Sequence, residues 1–489
     1  MSGPLLSESS WTPTLETIPP ELKRKIARHL DPRVHLEDKW SRAEELDADE
    51  RRKSIMALSL VSHSWAAVME DLRWQASPVT LVLRPTSLKK LYKLASELAP
   101  RFGHKVRKIS LIGWQNDFRL RYTPQLITDA QRKELERIEE YVGLSPKTKT
   151  VKLIRITRAR DALVAKILAA CPAIDEIEIA GCLDAMCPRG VEGDWATLFE
   201  EDVFVGRTCK LLRQIGPKIR TARLTFDVVS NSVLSTDIEA TVYLGWFTNV
   251  KDLEVRFAKL DSIEFSDLQC FAFAQLVHHL PDLERLALVG IDQVKTGLGY
   301  CSIMLPPGLQ HLHLEDMNIL AFDLDGCLKV VSPSLRSLAL VDVECHLGAE
   351  EFATVHALPK LNRLCIASDV TIGLLRLFRR APLAHVELLH RPWASWCGKS
   401  TSRTRPSAPR LPEYRFKQLR GFLDDHKKTM KSIRATAFMI VMAHFDRFNK
   451  LMADRGMRGE PLELWATEKY GPKKPAGDGW ETCSDEDDF

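Results

Sequence analysis

An apolar pattern returns every 26 residues through the second half of this chain, and it limits what the chain can fold into more than any other feature. The segments read Pro281-Asp-Leu283-Glu-Arg-Leu286-Ala-Leu288 and Pro307-Gly-Leu309-Gln-His-Leu312-His-Leu314, then Pro333-Ser-Leu335-Arg-Ser-Leu338-Ala-Leu340 and Pro359-Lys-Leu361-Asn-Arg-Leu364-Cys-Ile366. The last two apolar residues of each segment flank a single residue, which is the strand period, with alternate side chains on opposite faces. Proline has no N–H to give to a ladder, so it stands before the strand and ends whatever helix precedes it. Phe271, Phe273, Leu276 and Leu280 lie at roughly helical spacing ahead of Pro281, which predicts a helix there. A unit this short buries little by itself, and stacked copies supply the core.

Weaker copies lengthen the array. Pro172, Ile174, Ile177 and Ile179 fit it, as do Pro217, Ile219 and Leu224. Val250, Leu253 and Val255 fit without proline, and Leu383, Val386 and Leu388 read as the final turn. Val106, Ile109 and Leu111, and Val151, Ile154 and Ile156, share the apolar spacing. The unit resembles a leucine-rich repeat, whose period runs from about 20 to 29 residues. It departs from that pattern where Asn or Cys normally follows the last leucine by three residues. Here those places hold Ile291, Met317, Val343 and Asp369, and only Cys182 in a weaker copy matches. The resemblance therefore implies an irregular α/β solenoid without a continuous asparagine ladder. Its outward strand positions, Arg285, Ala287, His311, His313, Ser337, Ala339, Arg363 and Cys365, form the candidate concave face for a protein substrate.

The N-terminal segment has a different character. Ile18-Pro-Pro-Glu-Leu22 predicts a helix start, with proline in the first turn, where its missing N–H costs nothing. Leu22, Ile26 and Leu30 recur at i, i+4 and i+8 as an apolar stripe. A second apolar segment runs from Ala57 through Leu58, Leu60, Val61 and Ser62 to Trp65. Together the two segments resemble an F-box, most closely the F-box-like proteins of mushroom-forming fungi. Pro19, Pro20, Glu21, Leu22, Ile26, Leu30, Asp31, Leu58, Leu60, Val61, Ser62 and Trp65 match. The resemblance implies a small helical module that docks on the Skp adaptor of a cullin-type ubiquitin ligase, with the repeats recruiting a protein substrate. On that reading Pro19, Pro20, Leu22, Ile26, Leu30, Leu58, Leu60, Val61 and Trp65 touch the adaptor or hold the docking helices. The family joins its two half-motifs by a short loop. Here residues 32–53 intervene, 13 of the 22 charged, and they read as a solvated helix or loop. A plain helical cap on the repeat array is the competing reading of the same segment.

Charge and composition set bounds on partners. Lys and Arg number 69 against 65 Asp and Glu, too even a balance to argue for nucleic acid or anionic membrane. The longest apolar run, near Ala435–Ala443, is shorter than the roughly 20 residues of a membrane span. No secretory signal is legible in residues 1–17. Eleven scattered cysteines read as reduced thiols, so a cytoplasmic or nuclear protein is expected.

The most enzyme-like string, Ile319-Leu-Ala-Phe-Asp323-Leu-Asp325-Gly326-Cys-Leu328, resembles the first motif of the magnesium-dependent haloacid dehalogenase superfamily. Asp424 and Asp425 could imitate that family's later acidic motif. The string falls between Leu314 and Leu335, however, where the 26-residue register demands a crossover rather than a sheet-centre strand. His278 and His279 read as helix-end residues, and His311 and His313 as solvent-facing neighbours on one strand. No catalytic residue, cofactor or metal ligand is expected. The functional alternatives are a repeat scaffold with no ligase role and, remotely, a phosphohydrolase.

The sequence thus predicts an α/β chain in five parts. They are an F-box-like module over 1–75, a leucine-rich-repeat-like solenoid over 76–390, a linker over 391–412, a helical C-terminal cap over 413–470 and an acidic tail over 471–489. Phe416, Leu419, Phe422 and Leu423 mark one apolar face of the cap, and Ile440, Met442, Phe445 and Phe448 a second cluster.

Overall fold

The computed structural model describes residues 15, 17–30, 42–76, 79–82, 88–112, 129–144, 152–180, 206–226, 246–257, 280–290, 305–346, 357–367, 375–388, 413–435, 450, 453–454 and 458–461. The chain is mixed α/β and divides into two compact units. One is Met1–Ile291 with Lys295–Pro306, and the other is Asp292–Val294 with Pro307–Phe489. The division falls inside the stretch expected to run unbroken over 76–390.

The first unit opens with three helices, α1 (Pro20–Leu30), α2 (Arg42–Ser59) and α3 (His63–Ala76). Ala27, Ile55, Trp65 and Met69 are buried between them, and Ile18, Leu30, Leu58, Val68 and Leu72 pack against that cluster. α1 starts at the second proline, and Pro19 closes its first turn by accepting the Lys23 N–H at 3.0 Å.

Among the described residues six parallel strands follow: β1 (Val79–Val82), β2 (Lys108–Ile112), β3 (Glu176–Ala180), β4 (Thr221–Phe226), β5 (Asp252–Phe257) and β6 (Arg285–Val289). Each pairs with the next in chain order, so a crossover separates every pair, as parallel pairing requires. In-register partners form inward rows, and Ile109, Ile177, Ala222, Leu253 and Leu286 make one of them. Every member of that row is fully or almost fully buried.

A helical stretch comprising α4 (Leu88–Lys93), the π turn Leu94–Leu98, α5 (Ala99–Phe102) and the 3-10 turn Gly103–Lys105 leads into β2. α6 (Asp129–Tyr141) and α7 (Lys152–Ala170) precede β3, and α8 (Gly206–Ile215) precedes β4. α7 packs on the first of these stretches, on α6 and on α8, so helices stack beside one another as strands do.

Two glycines permit this stacking. A Cβ on Gly103 would lie 2.2 Å from the Ala170 carbonyl oxygen, and one on Gly216 would lie 2.2 Å from that of Trp246. Each stands one turn before a strand, where the backbone of the following copy presses against it.

The second unit carries β7 (His311–Leu320), α9 (Ala321–Val331), β8 (Ser337–His346), β9 (Arg363–Ala367), β10 (His385–Leu388), α10 (Glu413–Asp425), β11 (Ser432–Ala435) and β12 (Arg458–Pro461). Its strands are again parallel and paired in chain order. Met317 and Val343, at the places where a leucine-rich repeat would hold its turn residue, are paired to each other inside lengthened strands. Without an asparagine to bend the chain there, β7 and β8 run straight on.

Strand starts share one hydrogen-bond device. Arg107 O accepts from the N–H groups of both Asp175 and Glu176, Asp175 O from Arg220 and Thr221, Arg220 O from Lys251 and Asp252, and Lys251 O from Glu284 and Arg285. The second unit repeats it from Gln310 O through Arg336 O and Asn362 O to Ala384 O, which receives Lys431 and Ser432. This relay of single carbonyls holding two N–H groups ties successive copies of the pattern together.

Two expectations are corrected. Val151, Ile154 and Ile156 do not mark a strand, because α7 begins at Lys152 and carries Ile154 and Ile156 as helix. Apolar spacing of three and then two residues serves either structure, and here Leu163, Val164, Ile167 and Leu168 bury a helical face. Residues 413–470 are also more than a helical cap. α10 buries Leu419, Phe422 and Leu423 as expected, but Met430 and Ile433 then repeat the apolar spacing and β11 pairs with β10. The helix expected at Phe271, Phe273 and Leu276, the Ile440–Phe448 cluster, the linker and the tail lie outside the described residues, as do Cys182, Ile291 and Asp369. Among the described residues no helix is long and apolar enough to cross a membrane.

Candidate protein-interaction surfaces

The nine residues expected at an adaptor interface divide by role. Trp65 is fully buried, and Leu30 and Leu58 are half-buried against the helical core. Pro19, Pro20, Leu22, Ile26, Leu60 and Val61 are exposed, Leu22 at 48% and Leu60 at 83%. The i, i+4 stripe of α1 therefore does not face the core. Lys23 and Ala27 do, with Leu30 half-buried beside them, and Leu22 and Ile26 look outward.

A buried lysine needs partners. Lys23 Nζ donates to Ser64 Oγ at 2.7 Å and lies 5.5 Å above the Trp65 ring. The Trp65 indole N–H donates to Leu15 O at 2.8 Å, pinning the segment ahead of α1. The Lys23–Ser64 bond ties the first turn of α3 to α1 and so brings the turn carrying Leu60 and Val61 next to α1.

The charged insertion does not keep the half-motifs apart. α2 starts at Arg42, runs through Lys53 and ends with Ile55 and Leu58 packed on α1. Arg51 Nη1 also donates to His29 O at 3.4 Å. Met56, 38% exposed, belongs to the same outward apolar set. Its place one helical turn before Leu60 is the sequence signal for it.

The outer face of the first unit's sheet is a lattice of alternating charge. Lys108, Glu176, Thr221, Asp252 and Arg285 form one in-register row, and Ser110, Glu178, Arg223, Glu254 and Ala287 the next. Lys108 pairs with Glu176 at 3.7 Å, and Glu254 holds both Arg223 at 3.5 Å and Arg256 at 2.9 Å. Desolvation raises the Asp252 carboxyl to about 6, against the opposing pull of Arg285 and Arg223.

In the second unit the corresponding rows are His311, Ser337, Arg363, His385 and Ser432, and His313, Ala339, Cys365 and Glu387. His313 Nε2 lies 3.1 Å from Glu315 Oε2, Arg363 Nη2 3.6 Å from Glu387 Oε1, and His385 Nδ1 2.8 Å from Ser432 Oγ.

The expected concave face needs revision. Ala287, Ser337, Ala339 and Cys365 are buried, not solvent-facing. Parallel strands stand about 4.8 Å apart, so small side chains sink below the longer ones in adjacent rows. Arg285, His311, His313 and Arg363 are half-exposed and remain reachable. Glu315 and His385 join the face, while Glu387 is buried beneath it against Arg363, and the strand period within each copy would have named them.

Asp323 and Asp325 lie in α9, the crossover helix between β7 and β8 that the register required. Asp425, at the end of α10, accepts a hydrogen bond from Arg379 Nε at 2.6 Å. His278 and His279 lie outside the described residues. No known family model matches the chain, and no curated protein matches its sequence.

Proposed function

We propose that the chain is a non-enzymatic substrate receptor of an SCF-type ubiquitin ligase. Its three N-terminal helices, an F-box-like module, dock on a Skp adaptor linked to a cullin, and a leucine-rich-repeat-like solenoid binds a protein substrate. The carrying observation is the outward display of Leu22, Ile26, Met56, Leu60 and Val61 on a module whose own core is complete without them. Folding gains nothing from large apolar side chains left in water, and clusters of them mark interaction sites. The half-exposed charged and imidazole side chains of the strands suit a polar protein partner.

Retention of a purified Skp-type adaptor by the full chain in reducing buffer tests the reading. Leu22→Asp with Leu60→Asp should abolish retention while the circular dichroism spectrum stays unchanged, because both side chains lie outside the core. An unaltered chain that fails to retain the adaptor favours the other reading, a repeat scaffold with no ligase partner.

A further inference from the structure

The outward apolar set of the helical module comes from two separate places in the chain. Leu22 and Ile26 stand on α1, and Leu60 and Val61 on the turn between α2 and α3. That turn is held to α2 by its own backbone. The Leu60 N–H donates to Ala57 O at 3.0 Å and the Val61 N–H to Leu58 O at 3.1 Å, and neither bond reaches α1. The apolar core between the helices draws them together, but apolar attraction has no direction and tolerates small slides.

Lys23 supplies the direction. It follows Leu22 in sequence, is only 3% exposed, and donates from Nζ to Ser64 Oγ at 2.7 Å, three residues beyond Val61. Ser64 Oγ lies 3.1 Å from Ser62 Oγ, which accepts the Trp65 N–H at 3.4 Å at the start of α3. The same ammonium stands 5.5 Å from the centre of the Trp65 ring. One buried cation on α1 therefore meets a hydroxyl and a ring of the first turn of α3. Taking an ammonium out of water costs free energy that an apolar side chain of similar size does not. For folding alone, methionine would serve this place as well. The hydrogen bond adds a set distance and angle that methionine lacks, and fixing register is the best-attested use of a buried polar group.

We infer that Lys23 is a positioning residue for docking: its buried bond to Ser64 sets α1 and the α2–α3 turn in the register that makes Leu22, Ile26, Leu60 and Val61 one surface. This rests on the adaptor-docking reading and adds to it the device that assembles the surface. Lys23 lies beneath that surface, out of a partner's reach, so any effect of its replacement on docking is transmitted through the helices.

The test measures two quantities on full-length variants, the Kd for a purified Skp-type adaptor and the melting temperature. Lys23→Met should weaken binding about tenfold while the melting temperature stays the same or rises. Ser64→Ala should weaken binding to a similar degree, and Ser64→Thr, which keeps the hydroxyl, should bind within about twofold of the unaltered chain. The Lys23→Met, Ser64→Ala double variant should bind no more weakly than either single one, because both remove the same bond. Full binding by Lys23→Met overturns the inference and leaves adaptor docking standing. Loss of the fold in Lys23→Met, or a melting temperature that drops together with binding, makes Lys23 a structural residue and overturns it too. Losses that multiply in the double variant would mean that Ser64 touches the adaptor directly, and a loss in Ser64→Thr equal to that in Ser64→Ala would mean that the hydroxyl is irrelevant; either result overturns it. Absence of adaptor binding by the unaltered chain fails the docking reading itself, and this inference with it.

Discussion

At the residue scale, the positions that decide the fold are those with no room or the wrong surroundings. Gly103 and Gly216 each stand where a neighbouring carbonyl leaves no space for a methyl group. Gly103→Ala and Gly216→Ala should each cost about 1–3 kcal/mol in urea unfolding through forced backbone shifts. Gly308→Ala, with nothing within 4 Å of its Cβ position, is the matched control and should be near neutral.

Asp252 makes a prediction in pH. Its folded carboxyl is raised to about 6, above the roughly 3.9 of an unfolded chain. The folded state therefore binds the extra proton between those values, and stability is lost as pH rises through them. Asp252→Asn should raise the melting temperature at about pH 7.5 and leave it unchanged near about pH 4. A difference independent of pH would contradict this cause.

Residue types gave an incomplete account of α1. Spacing alone puts Leu22, Ile26 and Leu30 on one apolar stripe without saying which way it faces, because a sequence does not show that a lysine can enter a core when Ser64 and the Trp65 ring receive it.

At the element scale, proline marks a strand, but its absence decides nothing. Copies that carry Pro172, Pro217, Pro281, Pro307, Pro333 or Pro359 all precede strands, whereas of the proline-free sets Val106 and Val250 lead into β2 and β5 and the Val151 set is helix. β11 is hard to read from sequence because Met430, Ile433 and Ala435 repeat the apolar spacing with neither proline nor leucine. β12 is harder still, since Gly459 and Pro461 are residues that argue against a strand interior.

The end of α10 carries its own prediction. His426 is buried against the Phe422 ring, with its Nε2 unbonded. Desolvation is the main cause lowering its pKa, and Arg379 adds to it, while Asp425 and hydrogen bonds involving the Phe378 and Ala381 backbone act in the opposite direction. The unfolded chain then takes up the proton first, so stability is full above roughly pH 6.5 and falls as pH drops towards the lowered folded value. Unfolding midpoints of His426→Phe should decline less between about pH 7 and about pH 5 than those of the unaltered chain. Identical slopes would remove His426 as the cause.

At the scale of the whole molecule, each described strand pairs with its sequence neighbours within its own unit, so damage should stay local. Leu338 is fully buried in the middle of the second unit. Leu338→Ala should cost about 2–5 kcal/mol. Hydrogen exchange should then show the largest loss of protection in β7, β8 and β9, fading towards β12. Uniform loss across those six strands would indicate a single cooperative block.

The strand-start relay has a consequence for how such a chain can change through descent. Val106 to Ile174 spans 68 residues and Leu361 to Leu383 only 22, yet both intervals end on the same paired N–H groups under one carbonyl. Alignment of each copy is fixed at that point, independent of the length of chain in between. Loss or duplication of a whole interval would restore the same joint. A gene built on it can therefore gain and shed copies, and stretch the stretches between them, without a frame of fixed length to violate.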